Sequence, residues 1–141
     1  MKYNIEIKKS LGDIKLTMNE VEIIELIGNP EDVEVLEDGD DDFNAVIWYY
    51  DKLEISLFFE NSNMSLFCIE SNHKDLELFG QKLSKMTSEE ILEMFKSNGF
   101  ADIERDEESW GEMRLSIAEA AIDFYFTKGE LISVNFGVAE N

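Results

Sequence analysis

The chain has 141 residues, 44% of them hydrophobic, which is enough to pack a core in one domain spanning 1–141 and too many for a disordered chain. Asp and Glu number 32 against 12 Lys and Arg, a formal charge of −20 that repels nucleic acid and anionic membranes and favours a basic partner. A single Cys cannot form an internal disulfide, a single His cannot build a His-rich metal site, and no apolar run reaches the ~18 residues of a membrane span.

The opening Met1-Lys2-Tyr3-Asn4-Ile5-Glu6-Ile7-Lys8-Lys9 threads charges through the stretch where a secretory signal needs an apolar core, so a cytoplasmic protein is expected. Tyr3 to Lys8 alternates and can form a strand or an arm at a sheet edge. Two segments then match, opening at Leu11-Gly12 and Phe79-Gly80, with a constant shift of 68 that carries Met18 onto Met86 and Glu22-Ile23 onto Glu90-Ile91. Leu53-Glu54-Ile55 falls on Ile122-Asp123-Phe124 at a shift of 69, so internal repeats of about 11–70 and 79–138 are expected.

Each repeat starts with a helix. Asn19 or Thr17 caps a body of Glu20 to Ile27, stopped by Gly28-Asn29-Pro30; Thr87 or Ser88 caps a body of Glu89 to about Ser97, with Glu90 at the capping-box position. After each helix the period changes from 3.6 to 2. The first repeat then predicts strands at about Val33 to Glu37, Ala45 to Tyr50, Leu53 to Glu60 and Met64 to Glu70, and the second at about Asp102 to Asp106, Glu112 to Ala118, Ala121 to Thr127 and Leu131 to Val138. Turn residues at Asp51-Lys52, Asn61-Ser62-Asn63 and Lys128-Gly129-Glu130 make neighbouring strands antiparallel.

Alternation puts Leu53, Ile55, Leu57 and Phe59 on one face with Ile122, Phe124 and Phe126; Glu54, Phe58, Asp123 and Tyr125 take the other. Both helices are expected on the first face, leaving an acidic face with aromatics open. Over Ala45 to Tyr50 both Val46/Trp48/Tyr50 and Ala45/Ile47/Tyr49 are apolar enough to be buried, so pattern alone does not choose the face.

The run Glu37-Asp38-Gly39-Asp40-Asp41-Asp42 lacks the spacing and flanking helices of a calcium loop, and reads as a solvated acidic loop at a hairpin tip that suits a basic surface. His73 falls in the polar connection between repeats; Cys68 alternates within an apolar strand and has no basic neighbour to activate it. No phosphate loop, dinucleotide fingerprint or nucleophile elbow occurs, so no cofactor, no metal and no catalytic residue is expected. The candidate partner-binding residues are Asp38, Asp40, Asp41, Asp42, Trp48, Tyr50, Glu54, Phe58, Asp123 and Tyr125, acids and aromatics of the kind that concentrate binding energy at interfaces.

Leu11-Gly12, Leu16-Thr17-Met18-Asn19-Glu20-Val21, Ile27-Gly28-Asn29-Pro30 and Trp48-Tyr49-Tyr50 together resemble the opening of the small helix-plus-sheet module shared by the β-lactamase inhibitor protein and the outer-membrane assembly lipoprotein BamE. The duplication resembles the former. That likeness implies an α+β fold of two tandem helix-plus-four-stranded-antiparallel-sheet repeats, joined into one long sheet with the helices on one face and a concave face that grips a partner. The chain departs from the pattern in lacking a secretory signal, a lipid-attachment Cys and disulfide-forming cysteines. A small acidic cytoplasmic protein of this build also resembles the immunity proteins of bacterial polymorphic-toxin systems. The expected function is a non-enzymatic, monomeric or weakly dimeric inhibitor that binds and occludes a basic protein such as a toxin. The competing expectations are a self-associating structural protein and, behind it, a small hydrolase using surface carboxylates.

Overall fold

A computed structural model describes residues 1–37 and 44–138. The described residues form two α-helices, a 3-10 turn (Ala118–Ala120) and thirteen strands in two sheets, an α+β architecture around one hydrophobic core.

The chain begins with three short strands, β1 (Asn4–Glu6), β2 (Ser10–Leu11) and β3 (Ile14–Lys15), and then enters α1 (Glu20–Ile27). Asn19 caps α1: its Oδ1 accepts from the Glu22 backbone N–H at 2.9 Å, and the Glu22 side chain accepts from the Asn19 backbone N–H at 3.1 Å. Four longer strands follow as an antiparallel meander: β4 (Asp32–Glu37), β5 (Asn44–Tyr50), β6 (Ile55–Glu60) and β7 (Leu66–Ser71). The second half repeats this order. A hairpin of β8 (Glu77–Leu78) and β9 (Gln81–Lys82) leads into α2 (Ser88–Ser97), whose cap Thr87 exchanges the same two hydrogen bonds with Glu90. The second meander is β10 (Glu104–Glu107), β11 (Glu112–Ile117), β12 (Ile122–Thr127) and β13 (Glu130–Gly137).

The eight long strands form one antiparallel sheet, in the order β10-β11-β12-β13-β7-β6-β5-β4. The two last strands of the meanders, β7 and β13, lie side by side at its centre, and β4 and β10 are its edges. The expectation of one long sheet of two repeats needs correction, because the short strands form a second, five-stranded mixed sheet in the order β3-β2-β1-β8-β9. Tyr3 to Lys8 therefore does contribute a strand, but to this sheet, where β1 runs parallel to β8. Sequence periodicity passed over β2, β3, β8 and β9 because a two-residue strand has no period to detect.

Several local features recur in the two halves. Caps Asn19 and Thr87 are 68 residues apart, whereas the left-handed residues Glu54 (φ 57°) and Ala121 (φ 51°) before β6 and β12 are 67 apart, as are the bulges after Phe58 and Tyr125. The correspondence of β6 with β12 thus runs at 67, not the expected 69. A difference of two leaves every face assignment unchanged.

The core lies on one side of the large sheet. Leu57, Phe59, Phe124, Phe126 and Phe136 are fully or almost fully buried there with Ile23 of α1 and Ile91, Met94 and Phe95 of α2. The rings of Phe95 and Phe124 meet edge to face, centroids 5.6 Å apart. Ile5, Leu11, Ile14, Leu78 and Leu83 bring the small sheet and its flanks into the same core. Among the described residues no helix is long and apolar enough to cross a membrane.

Candidate partner-binding face

Because successive strand residues point to opposite faces, burying Trp48, Leu57 and Phe124 beneath the helices commits their neighbours to the other side of the sheet. That second face carries no helix or strand among the described residues. Its centre is acidic and half-buried: Glu70 of β7 is paired across the strands with Ser56 and Asn135, and Asn135 in turn faces Asp123 of β12. Burial pushes the Glu70 carboxyl above the ordinary carboxylate range. Burial, reinforced by the charges of Glu70 and Asp123, also pushes the Cys68 thiol up to about 12, so it stays protonated and donates to Asn135 Oδ1.

Aromatic side chains flank this centre. The bulge between Phe58 and Phe59 gives β7 one extra residue, Phe67, whose ring meets that of Phe58 with centroids 6.4 Å apart. In the second half the matching bulge leaves Ile132 exposed, and Tyr125 stands opposite Arg114. Tyr125 titrates above an ordinary tyrosine, chiefly through burial and then the Asp123 charge. Tyr49 is pushed up to about 12, first by the 2.6 Å hydrogen bond that it donates to Glu34 and then by burial. Residues of this face line a cleft of about 360 Å³, with Glu54, Ser56 and Glu70 in its wall, and another of about 440 Å³, with Arg114, Tyr125 and Ile132.

Of the residues singled out by sequence, Phe58, Asp123 and Tyr125 stand on this face, and Glu54 joins Glu70 at one of its clefts. Glu54 lies in the turn before β6 rather than in the strand, and its carbonyl accepts from Ser71 Oγ at 2.8 Å. Trp48 and Tyr50 are corrections. They are 6% and 2% exposed on the core side, Trp48 against the Phe59 ring at 4.8 Å and the Tyr50 hydroxyl donating to the Gly28 carbonyl at 2.8 Å, so neither reaches a partner docked on the open face. The open question over Ala45 to Tyr50 is thereby answered: Val46, Trp48 and Tyr50 face the core, while Ala45 and Ile47 are buried on the other side, between cross-strand neighbours that include Leu36 and Phe58. Asp38, Asp40, Asp41 and Asp42 lie outside the described residues. Sequence reasoning passed over Glu70, Phe67 and Asn135; the signal was the adjacent pair Phe67-Cys68 between two core residues, Leu66 and Ile69, which breaks a strict alternation and marks a bulge.

The raised Glu70 pKa has a testable sign. In the folded chain the neutral acid is preferred, so this group's contribution to stability is full below the ordinary carboxylate pKa and is lost as pH rises through the raised value. Glu70→Gln is expected to raise the melting temperature near neutral pH, with the gain shrinking as the buffer is acidified towards about pH 4. A gain unchanged by pH would contradict the assignment.

Among the described residues no cluster of three or more His, Cys, Asp or Glu side chains is placed to hold a metal ion. No family model matches the sequence, and no curated protein matches it. A solved structure, that of an extracellular protein containing a SCP domain from Bacillus anthracis str. Ames, is similar in fold, with a TM-score of 0.57 and 10% identity over 98% of this chain and 48% of that one. The chain thus spans about half the length of that protein, and at this identity the likeness is one of fold alone.

Proposed function

We propose that this protein is a non-enzymatic binding module, an inhibitor of the immunity type, whose open sheet face docks on and occludes a basic partner protein such as a toxin. The observation that carries the reading is the composition of that face, where half-buried aromatics, Phe58 and Tyr125, flank the carboxylates Glu70 and Asp123. Aromatic anchors in a charged setting concentrate binding energy, and a net charge of −20 speeds encounter with a basic surface while penalising acidic ones. The same charge opposes self-association through this face, since two copies would bring like charges together. The compartment in this reading is the cytoplasm, where the unpaired thiol of Cys68 stays reduced.

The test captures a binding protein from a lysate of the source organism and titrates it, once purified, against the wild-type chain and the double variant Asp123→Asn/Tyr125→Ala. The double variant is expected to bind about thirtyfold more weakly, roughly the 2 kcal/mol of one interface hot spot. Wild-type affinity is expected to fall as salt rises, and the bound partner to lose its own activity. Equal affinity of wild type and variant, an affinity indifferent to salt, or a stable dimer of the chain at low concentration would overturn the reading.

A further inference from the structure

The two edges of the large sheet are built differently. At the β10 edge, Arg105 stands on the helix-facing side opposite Leu115 and bridges Glu89 in the first turn of α2, at 3.0 Å, and Glu107 in its own strand, at 2.8 Å. This ion triad ties helix to edge strand and blunts the edge with charge. The 68-residue shift of the helix caps carries Glu89 onto Val21 in α1, and the 67-residue shift carries Leu115 and Met113 onto Trp48 and Val46, so that through these strand partners Arg105 and Glu107 match Val33 and Val35. Three valines occupy the places of the three charges. They are 59%, 49% and 53% exposed, and Ile24, one turn on from Val21 in α1, is exposed as well. Beyond them β4 pairs with β5 alone among the described strands, so half of its backbone N–H and C=O groups face outward. Asp32 and Glu34 alternate with Val33 and Val35 along β4 and stand on its other face, and Glu31 precedes them in the chain.

We infer that the β4 edge is a second binding surface, which takes an extended segment of a partner protein with alternating apolar and basic side chains as a ninth strand. The backbone of β4 would supply the ladder hydrogen bonds, Val21, Val33 and Val35 would receive the apolar side chains, and Asp32 and Glu34 on the opposite face would pair with the basic ones. A second copy of this chain is a poor occupant, because antiparallel pairing of two β4 strands sets Asp32 and Glu34 against their own counterparts. The site lies at the β4 edge, apart from Glu70, Asp123 and Tyr125 on β7 and β12, and stands or falls without them.

The probe is a blocked peptide of alternating Lys and Val, matched to β4 in length, added to the full chain while backbone hydrogen exchange is followed. The peptide is expected to slow exchange within residues 32–36, and a peptide of the same composition with its Lys and Val in separate blocks to do so about tenfold less effectively at equal concentration. Val21→Glu/Val33→Arg, which copies the Glu89 and Arg105 arrangement, is expected to weaken the alternating peptide about tenfold without lowering the melting temperature; Val35→Glu, copying Glu107, is the second variant should the first fail to fold. Asp123→Asn/Tyr125→Ala is expected to leave this protection intact. Equal protection by both peptides, protection confined to other strands, undiminished binding by the folded variants, or pairing of β4 with a second copy in the absence of peptide would overturn the inference.

Discussion

Phe124→Ala is expected to lower the unfolding free energy by about 3–5 kcal/mol, the range for deleting a fully buried aromatic ring and leaving a cavity. Phe124 is completely buried, lies in a central part of β12 and meets the Phe95 ring of α2 edge to face. Neither neighbour can readily collapse into the gap. Phe95 also packs against Phe79 and Phe100 at centroid distances of 5.4 and 5.5 Å, and the sheet backbone is fixed by pairing on both sides. Against a total of about 5–15 kcal/mol for an ordinary domain, the loss is a large fraction, and a fall of roughly 10–20 °C in melting temperature should be read by calorimetry. A fall of a degree or two would mean that α2 contributes little to holding the sheet.

Gly137→Ala is expected to destabilise the chain by about 1–3 kcal/mol or more, as overpacking does, through a different mechanism. Gly137 pairs with Cys68 where β13 meets β7, and a Cβ on it would sit 2.4 Å from the Phe67 carbonyl oxygen. The obstacle is backbone and cannot swing away. That carbonyl already accepts from the Val138 N–H at 3.1 Å, and it belongs to the bulged residue that turns Phe67 towards the open face. The substitution therefore strikes the joint between the two meanders. Denaturant unfolding should show a lower midpoint, with the hydrogen-exchange protection of β7 and β13 reduced more than that of β5 or β11. Equal loss of protection in all strands would place the strain elsewhere.

Much of this architecture was legible in the residues. Asn19 with Glu22, and Thr87 with Glu90, mark helix starts because the side chain and backbone of each pair satisfy one another, a purely local condition. The long strands were legible from period-two alternation, as in Ile122 to Thr127, where every second residue is buried. The small sheet was not, because pairing of Asn4–Glu6 with Glu77–Leu78 joins segments distant in sequence through strands too short to carry a pattern. On the candidate face, Phe58, Asp123 and Tyr125 followed from alternation, but Trp48 and Tyr50 did not, since both sides of β5 are apolar and which side the helices cover is decided by the rest of the chain. The three exposed valines were present in the sequence from the start. What identified them was a comparison of the halves through their strand partners rather than through a single linear shift.

The meeting of β7 and β13 at the centre of the large sheet also has a consequence for how the chain reaches its native state. Within each meander every pairing is between consecutive strands, so hairpins can zip one after another at small entropic cost. The joint between meanders pairs Cys68 with Gly137, 69 residues apart, and cannot close until the second meander has been synthesised. Until then β7 presents a bare, largely apolar flank. Such a topology should collapse early and lock late, so the slow step of folding is the docking of two partly formed halves, and the interval before it is when the nascent protein is most exposed to aggregation.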